Sequence, residues 1–175
     1  DEMLSVVGKP YDTLEEVIGL RGNNQGSLMD WGVTYRQLEL NEEKKVDLVK
    51  LPDFINEKTK VAWVQRSRGY DWRSSIDMEE LRIICKKIRE IKKDIIIITD
   101  NCYGEFTEKL EPTDVGADLV IGSLIKNPGG GIVTCGGYIA GRADLVERSA
   151  CRLYAPGIGR EGGATLDFLR LAFQG

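Results

Sequence analysis

Ile95-Ile96-Ile97-Ile98-Thr99-Asp100-Asn101 points to the fold of the whole chain. Four isoleucines and a threonine form an unbroken β-branched run, the composition of a strand buried on both faces rather than on one. The run is far too short to cross a bilayer, which takes about 20 apolar residues. It stops on a carboxylate, Asp100. Upstream, Asp77 and Glu80 mark a helix start. Leu81, Ile84, Ile88 and Ile91 then recur at helical spacing, with Lys and Arg on the other face. Downstream, residues 119–122 form a second buried run ending at Ser123. Strands alternating with helices in this way predict an α/β layer structure with a mainly parallel sheet.

Further out the same alternation continues. Residues 60–65 and 3–7 read as strands, and residues 33–40 alternate apolar and polar with one slip. Thr13 and Glu16 have the spacing of a capping box, with Leu14, Val17 and Ile18 as the apolar face of the helix they open. Gly19, Gly22 and Gly26 end that helix. A short helix over residues 46–55 is expected despite Pro52. Gly129-Gly130-Gly131 is a turn, residues 138–140 a short strand, and residues 142–152 and 164–174 two closing helices. Residues 1–175 read as one domain, with no repeat or linker inside it.

Composition narrows the function. A net charge of -4 and a pI near 5.1 argue against a nucleic-acid binder. No apolar run suits a membrane and no signal-peptide pattern opens the chain, so a cytoplasmic protein is expected. The four cysteines form no CxxC pair and there is no histidine, so no metal site of the Cys/His kind is expected. The same absence removes every Ser-His and Cys-His nucleophile. Buried, reduced thiols are the expectation for the cysteines. The chain starts without Met and stops at Gly175 just after the amphipathic stretch 166–173, as an internal piece of a longer protein would.

In open α/β sheets ligands bind at the carboxyl ends of the strands. Gln65-Arg66, Asp100-Asn101 and Ser123 all fall at such ends, and Lys126 lies three residues past Ser123. A buried carboxylate needs a partner. Asp100 therefore either caps a loop through backbone N–H groups or faces a cation. Lys126 follows the apolar pair Leu124-Ile125. It is either a surface loop lysine or a partly desolvated amine whose lowered pKa makes it a usable nucleophile. Together the two match the needs of pyridoxal phosphate, which takes a lysine for its aldehyde and an acid opposite its ring nitrogen. Ser123 could donate its hydroxyl to the phosphate. Arg66 and Arg68 could reach an anion, but solvated or ion-paired arginines are the plainer expectation.

Several stretches carry a resemblance: Gly8-Lys9-Pro10-Tyr11-Asp12-Thr13, Gln65-Arg66-Ser67-Arg68-Gly69-Tyr70, Asp100-Asn101-Cys102-Tyr103-Gly104-Glu105-Phe106 and Gly122-Ser123-Leu124-Ile125-Lys126-Asn127-Pro128-Gly129-Gly130-Gly131. Gly136-Gly137-Tyr138-Ile139-Ala140-Gly141 and Ala155-Pro156-Gly157-Ile158-Gly159 extend it over nearly the whole chain. The chain resembles the aspartate-aminotransferase-like, fold type I enzymes of pyridoxal 5'-phosphate. Among these it is most similar to the methionine gamma-lyase or aluminium-resistance family, related to cystathionine beta-lyase.

The resemblance implies the central part of a three-layer αβα large domain, with an N-terminal segment and a C-terminal small domain outside these residues. It implies Lys126 as the Schiff-base lysine and proton shuttle, Asp100 against the pyridine nitrogen, Ser123 on the phosphate and Tyr11 stacked on the ring. It implies a carbon–sulfur lyase performing β- or γ-elimination on a sulfur-containing amino acid, and a homodimer or homotetramer of the full-length protein. Two other readings stay open: a non-catalytic α/β binding module on the same fold, and another reaction on the same cofactor, such as transamination.

Overall fold

The computed structural model describes residues 1–23 and 26–153. The expected helix over 164–174 and the motif 155–159 lie outside the described residues. Among the described residues six strands form one sheet: β1 (Glu2–Ser5), β2 (Thr34–Gln37), β3 (Thr59–Gln65), β4 (Ile96–Asp100), β5 (Leu119–Ser123) and β6 (Gly137–Gly141). Their order is β2-β1-β3-β4-β5-β6. All neighbours pair in parallel except β5 and β6. An antiparallel pair needs no crossover helix, so the chain returns from β5 to β6 through a loop alone. That loop, residues 124–136, carries Lys126. The mainly parallel α/β architecture is the one the sequence predicts.

Helix α1 spans Asp12–Ile18, α2 Leu51–Phe54, α3 Met78–Ile91 and α4 Ala143–Leu153. The start of α3 is as expected: the Asp77 carboxylate accepts the Glu80 N–H at 2.8 Å. Its apolar stripe, Leu81, Ile84, Cys85 and Ile88, packs on Leu4, Val6, Ala62, Val64, Ile95 and Ile97 in one core cluster. Each such buried aliphatic side chain contributes about 1.5–3 kcal/mol relative to exposure.

Several local expectations are corrected. The isoleucine run is buried on one face only, with Ile97 fully covered while Ile96 and Ile98 are half-buried. Strand β2 stops at Gln37 rather than running to residue 40, because its one partner, β1, stops at Ser5. Residues 46–50 are not helical. Asp47 accepts the N–H groups of Val49 and Lys50, an alternative to helical bonding that leaves one turn, α2, with Pro52 in its first positions. The capping box at Thr13 does not form either. Tyr11 is the N-cap, and the Asp12 carboxylate accepts the Thr13 N–H at 2.8 Å. Val17 is 57% exposed, and Ile18 and Glu15 are the buried residues of α1. Gly19 ends the helix at a left-handed φ of 104°, as expected of a glycine there.

Candidate active site

Strand order reverses at β1, which has β2 on one side and β3 on the other. The carboxyl ends beside such a reversal are where open α/β sheets hold ligands. A cleft of about 380 Å3 opens there. Its walls come from the ends of four strands: Tyr11 and Thr13 after β1, Gln65, Ser67 and Tyr70 after β3, Asp100, Cys102 and Tyr103 after β4, and Lys126 after β5. That volume lies in the ordinary range for small-molecule sites, about 300–1,000 Å3. A second cleft of about 270 Å3, lined by Ser75, Thr107 and Glu108 among others, adjoins it and shares Ser67, Cys102 and Tyr103.

Three of the four residues singled out in the sequence meet in the first cleft: Tyr11, Asp100 and Lys126. Asp100 closes β4, pairs in register with Gln65 and Ile121, and is 6% exposed. One carboxylate oxygen accepts the Cys102 N–H at 3.0 Å, the loop-capping bond that sequence alone allows. Burial pushes the Tyr11 phenol above its ordinary value, helped by the negative charge of Asp100 and opposed by Lys126. Ser123 is not among the residues lining the cleft. Its hydroxyl accepts the Ile125 N–H at 3.4 Å.

Lys126 corrects an expectation. Burial does draw its pKa down, but the Cys102 thiol, which hydrogen-bonds it, and the nearby Tyr103 and Asp100 outweigh that and hold the amine above its ordinary value. The surroundings thus favour the ammonium form of the side chain over the neutral amine. Its Nζ lies 4.5 Å from the centroid of the Tyr103 ring. Cys102 also hydrogen-bonds Asp100, and burial and that carboxylate push its thiol pKa up. A local turn makes room for the lysine segment: a Cβ on Gly129 would stand 1.8 Å from the Leu124 carbonyl oxygen.

Cys102, Tyr103 and the side-chain role of Gln65 are absent from the sequence reading. The first two lie within three residues of Asp100, in a motif that carries the family resemblance, and that placement is the signal for them. Gln65 donates to the Ser67 carbonyl at 3.0 Å, while its own side-chain oxygen is buried in the cleft wall with no hydrogen-bond partner among the described residues. Arg66 takes the plainer of its two readings. It is 5% exposed, donates to Ile76, Asn101 and Gly104, and pairs with Glu108 at 2.7 Å, so it binds the protein rather than a ligand.

Known proteins share both the sequence and this architecture. The YnbB protein of Bacillus subtilis strain 168 is 49% identical over 176 residues, covering 100% of this chain and 42% of its own length. A solved Bacillus cereus protein superposes with a TM-score of 0.95 at 48% identity, over 100% of this chain and 43% of its own. A carbon-sulfur lyase involved in aluminum resistance from Clostridium novyi NT matches with a TM-score of 0.92 at 47% identity, over 100% and 42%. The chain thus spans less than half the length of each of these relatives. At 22% identity and a TM-score of 0.64, the pyridoxal-5'-phosphate dependent protein YhfS of Escherichia coli has the same fold over 89% of this chain and 37% of its own. The family model described as methionine gamma-lyase matches residues 1–175, every position from β1 through the Lys126 loop and beyond. The chain belongs to the methionine gamma-lyase family.

Proposed function

We propose that this chain supplies the cofactor-bearing core of a pyridoxal-phosphate-dependent carbon–sulfur lyase that performs β- or γ-elimination on a sulfur-containing amino acid. The observation that carries the reading is the meeting of Lys126, Asp100 and Tyr11 in one cleft. They come from loops far apart in sequence and present an amine, a carboxylate and an aromatic ring to the same space. The unpartnered Gln65 oxygen in the wall adds an acceptor left for a ligand or water. That donor set suits a flat cationic ring bearing an aldehyde.

When bound, pyridoxal phosphate supplies an electron sink for negative charge at the substrate α carbon. Asp100 would hold the proton on the ring nitrogen, and its burial keeps that carboxylate from being screened by water. Tyr11, fixed as the N-cap of α1, would cover one ring face. Lys126 would hold the cofactor through its amine and, once released, take the proton from the α carbon. It must first lose its own extra proton, since Cys102, Tyr103 and Asp100 favour the ammonium. Ser123, at the end of β5 and off the wall of this cleft, would contact the phosphate only where that group extends beyond the cleft.

The test uses the full-length protein with added pyridoxal phosphate. A visible absorbance band that borohydride bleaches and that Lys126→Ala abolishes is the expected result. A band retained in that variant would sink the assignment of the lysine. Release of thiol with pyruvate indicates β-elimination, and release with 2-oxobutanoate indicates γ-elimination of methionine. A keto acid formed without thiol would favour another reaction on the same cofactor.

A further inference from the structure

Tyr103 is held in an uncommon backbone conformation. Its φ is 70°, in the left-handed region that bulky side chains avoid, and Phe106 in the same loop has a φ of 63°. Such conformations persist only where surrounding contacts over-determine them, and they gather at functional sites. Here hydrogen bonds to three neighbouring segments fix the loop. Arg66 donates to Asn101 Oδ1 at 2.6 Å and to the Gly104 carbonyl at 3.2 Å. Glu111 accepts from Asn101 at 2.8 Å and from the Phe106 N–H at 3.1 Å. Asn127, next to Lys126, donates to the Glu105 carbonyl at 3.0 Å, which ties this loop to the lysine loop.

The strain does not serve the core, because Tyr103 is 63% exposed. What it achieves is to set the ring face 4.5 Å from the Lys126 amine, on the wall shared by the two clefts. An aromatic face attracts an ammonium and not a neutral amine.

We infer that Tyr103 is a positioning residue whose ring face holds the free ammonium form of Lys126 and thereby sets how much of that amine is available to react. A lysine that alternates between cofactor-bound and free forms needs a place when free, and neutral amine is the form that attacks an aldehyde or accepts a proton. This use of the contact rests on the proposed role of Lys126; the contact itself does not. The groups facing Lys126 are Cys102, Tyr103, Asp100 and Tyr11, so the ring is one of several contributors to the titration of the amine.

The test needs no cofactor. Cofactor-free full-length protein is labelled with trace acetic anhydride across a pH series, and the Lys126 and Lys92 peptides are quantified by mass spectrometry. Tyr103→Leu should lower the Lys126 midpoint by about half a pH unit, raising its labelling about threefold below the midpoint. Tyr103→Phe keeps the ring face but loses the phenol whose charge also favours the ammonium, so it should fall below the parent yet stay above Tyr103→Leu, and Tyr103→Trp should titrate above Tyr103→Phe. The reference Lys92, whose amine donates to the carbonyls of Asn56, Glu57 and Thr59, should not move. An unchanged midpoint in Tyr103→Leu, or a Phe variant that drops as far as Leu, would overturn the inference. Should Tyr103→Leu unfold, shifting both lysines together, the order of the Phe and Trp variants decides. A protein that never captures pyridoxal phosphate would refute the proposed function while leaving this titration readable.

Discussion

Replacing Arg66 by alanine should cost the folded protein about 2–4 kcal/mol, and the structure says where the loss arises. The guanidinium is nearly enclosed and makes four hydrogen bonds: Nε to the Ile76 carbonyl at 3.0 Å, Nη1 to Asn101 and Gly104, and Nη2 to Glu108. Asn101 is 1% exposed and Ile76 4%, so truncation strands two acceptors that water reaches poorly. Each stranded group costs about 1–3 kcal/mol. Glu108 is partly exposed and recovers by hydration, so its ion pair adds at most about 1 kcal/mol. Relief from burying a cation offsets part of the sum. Urea unfolding of the parent and Arg66→Ala proteins measures the total. Amide exchange at Gly104 and Phe106 measures its location, and both should speed up ahead of the core. Arg66→Lys should recover only part, since an ammonium cannot reach partners in three directions as the planar fork does. A loss below about 0.5 kcal/mol, with exchange in the 101–108 loop unchanged, would refute the reasoning. It would also return Arg66 to the anion-binding role that its sequence position allowed.

Two further outcomes follow from the ionisable groups. Glu2 is desolvated, which raises its pKa, but hydrogen bonds from Arg36, Thr59 and Asn56 and the Arg36 charge more than reverse that, leaving it below 4.5. Its stabilisation is therefore complete above pH 4.5 and is lost as pH falls through the lower folded value, so Glu2→Gln should be clearly less stable at neutral pH and converge on the parent in acid. Parallel urea midpoints at both ends of that window check it, and a constant difference would refute it. Burial pushes the Cys85 thiol up to about 12, whereas Cys135 is exposed. Iodoacetamide should alkylate Cys135 in the native protein and Cys85 only on unfolding, and equal rates in a peptide-mass time course would contradict the packing described for α3.

The elements legible from sequence are those whose stabilising contacts are local or repeat along the chain. Asp77 capping Glu80, the stripe from Leu81 to Ile88 and the β-branched run into Asp100 each carry their own signal within a few residues, and each stands in the structure. Failures came where a side chain had a competing local partner. Asp47 turned a predicted helix into a turn, and Asp12 displaced the capping expected of Thr13. Both competitors sat beside the predicted element, but a periodicity does not weigh one hydrogen bond against another. The end of β2 depended on the end of β1, a property of its neighbour that its own alternation does not carry.

For the candidate site, the residue types at the strand ends could be read from the sequence, because a parallel strand buried in an α/β layer puts its polar terminus at the ligand-binding edge. So could the family, through long motifs. That Tyr11, Asp100 and Lys126 share one cleft while Ser123 does not line it emerges from the folded arrangement alone. Only there did Arg66 become a pin beneath a strained loop, and only there did Tyr103 and Cys102 favour the ammonium form of an amine whose sequence left both a surface lysine and a depressed, desolvated amine open. The physical reason is that the charge state of a group depends on distances of a few ångströms to partners remote in the chain, and those distances exist only once the strands are side by side.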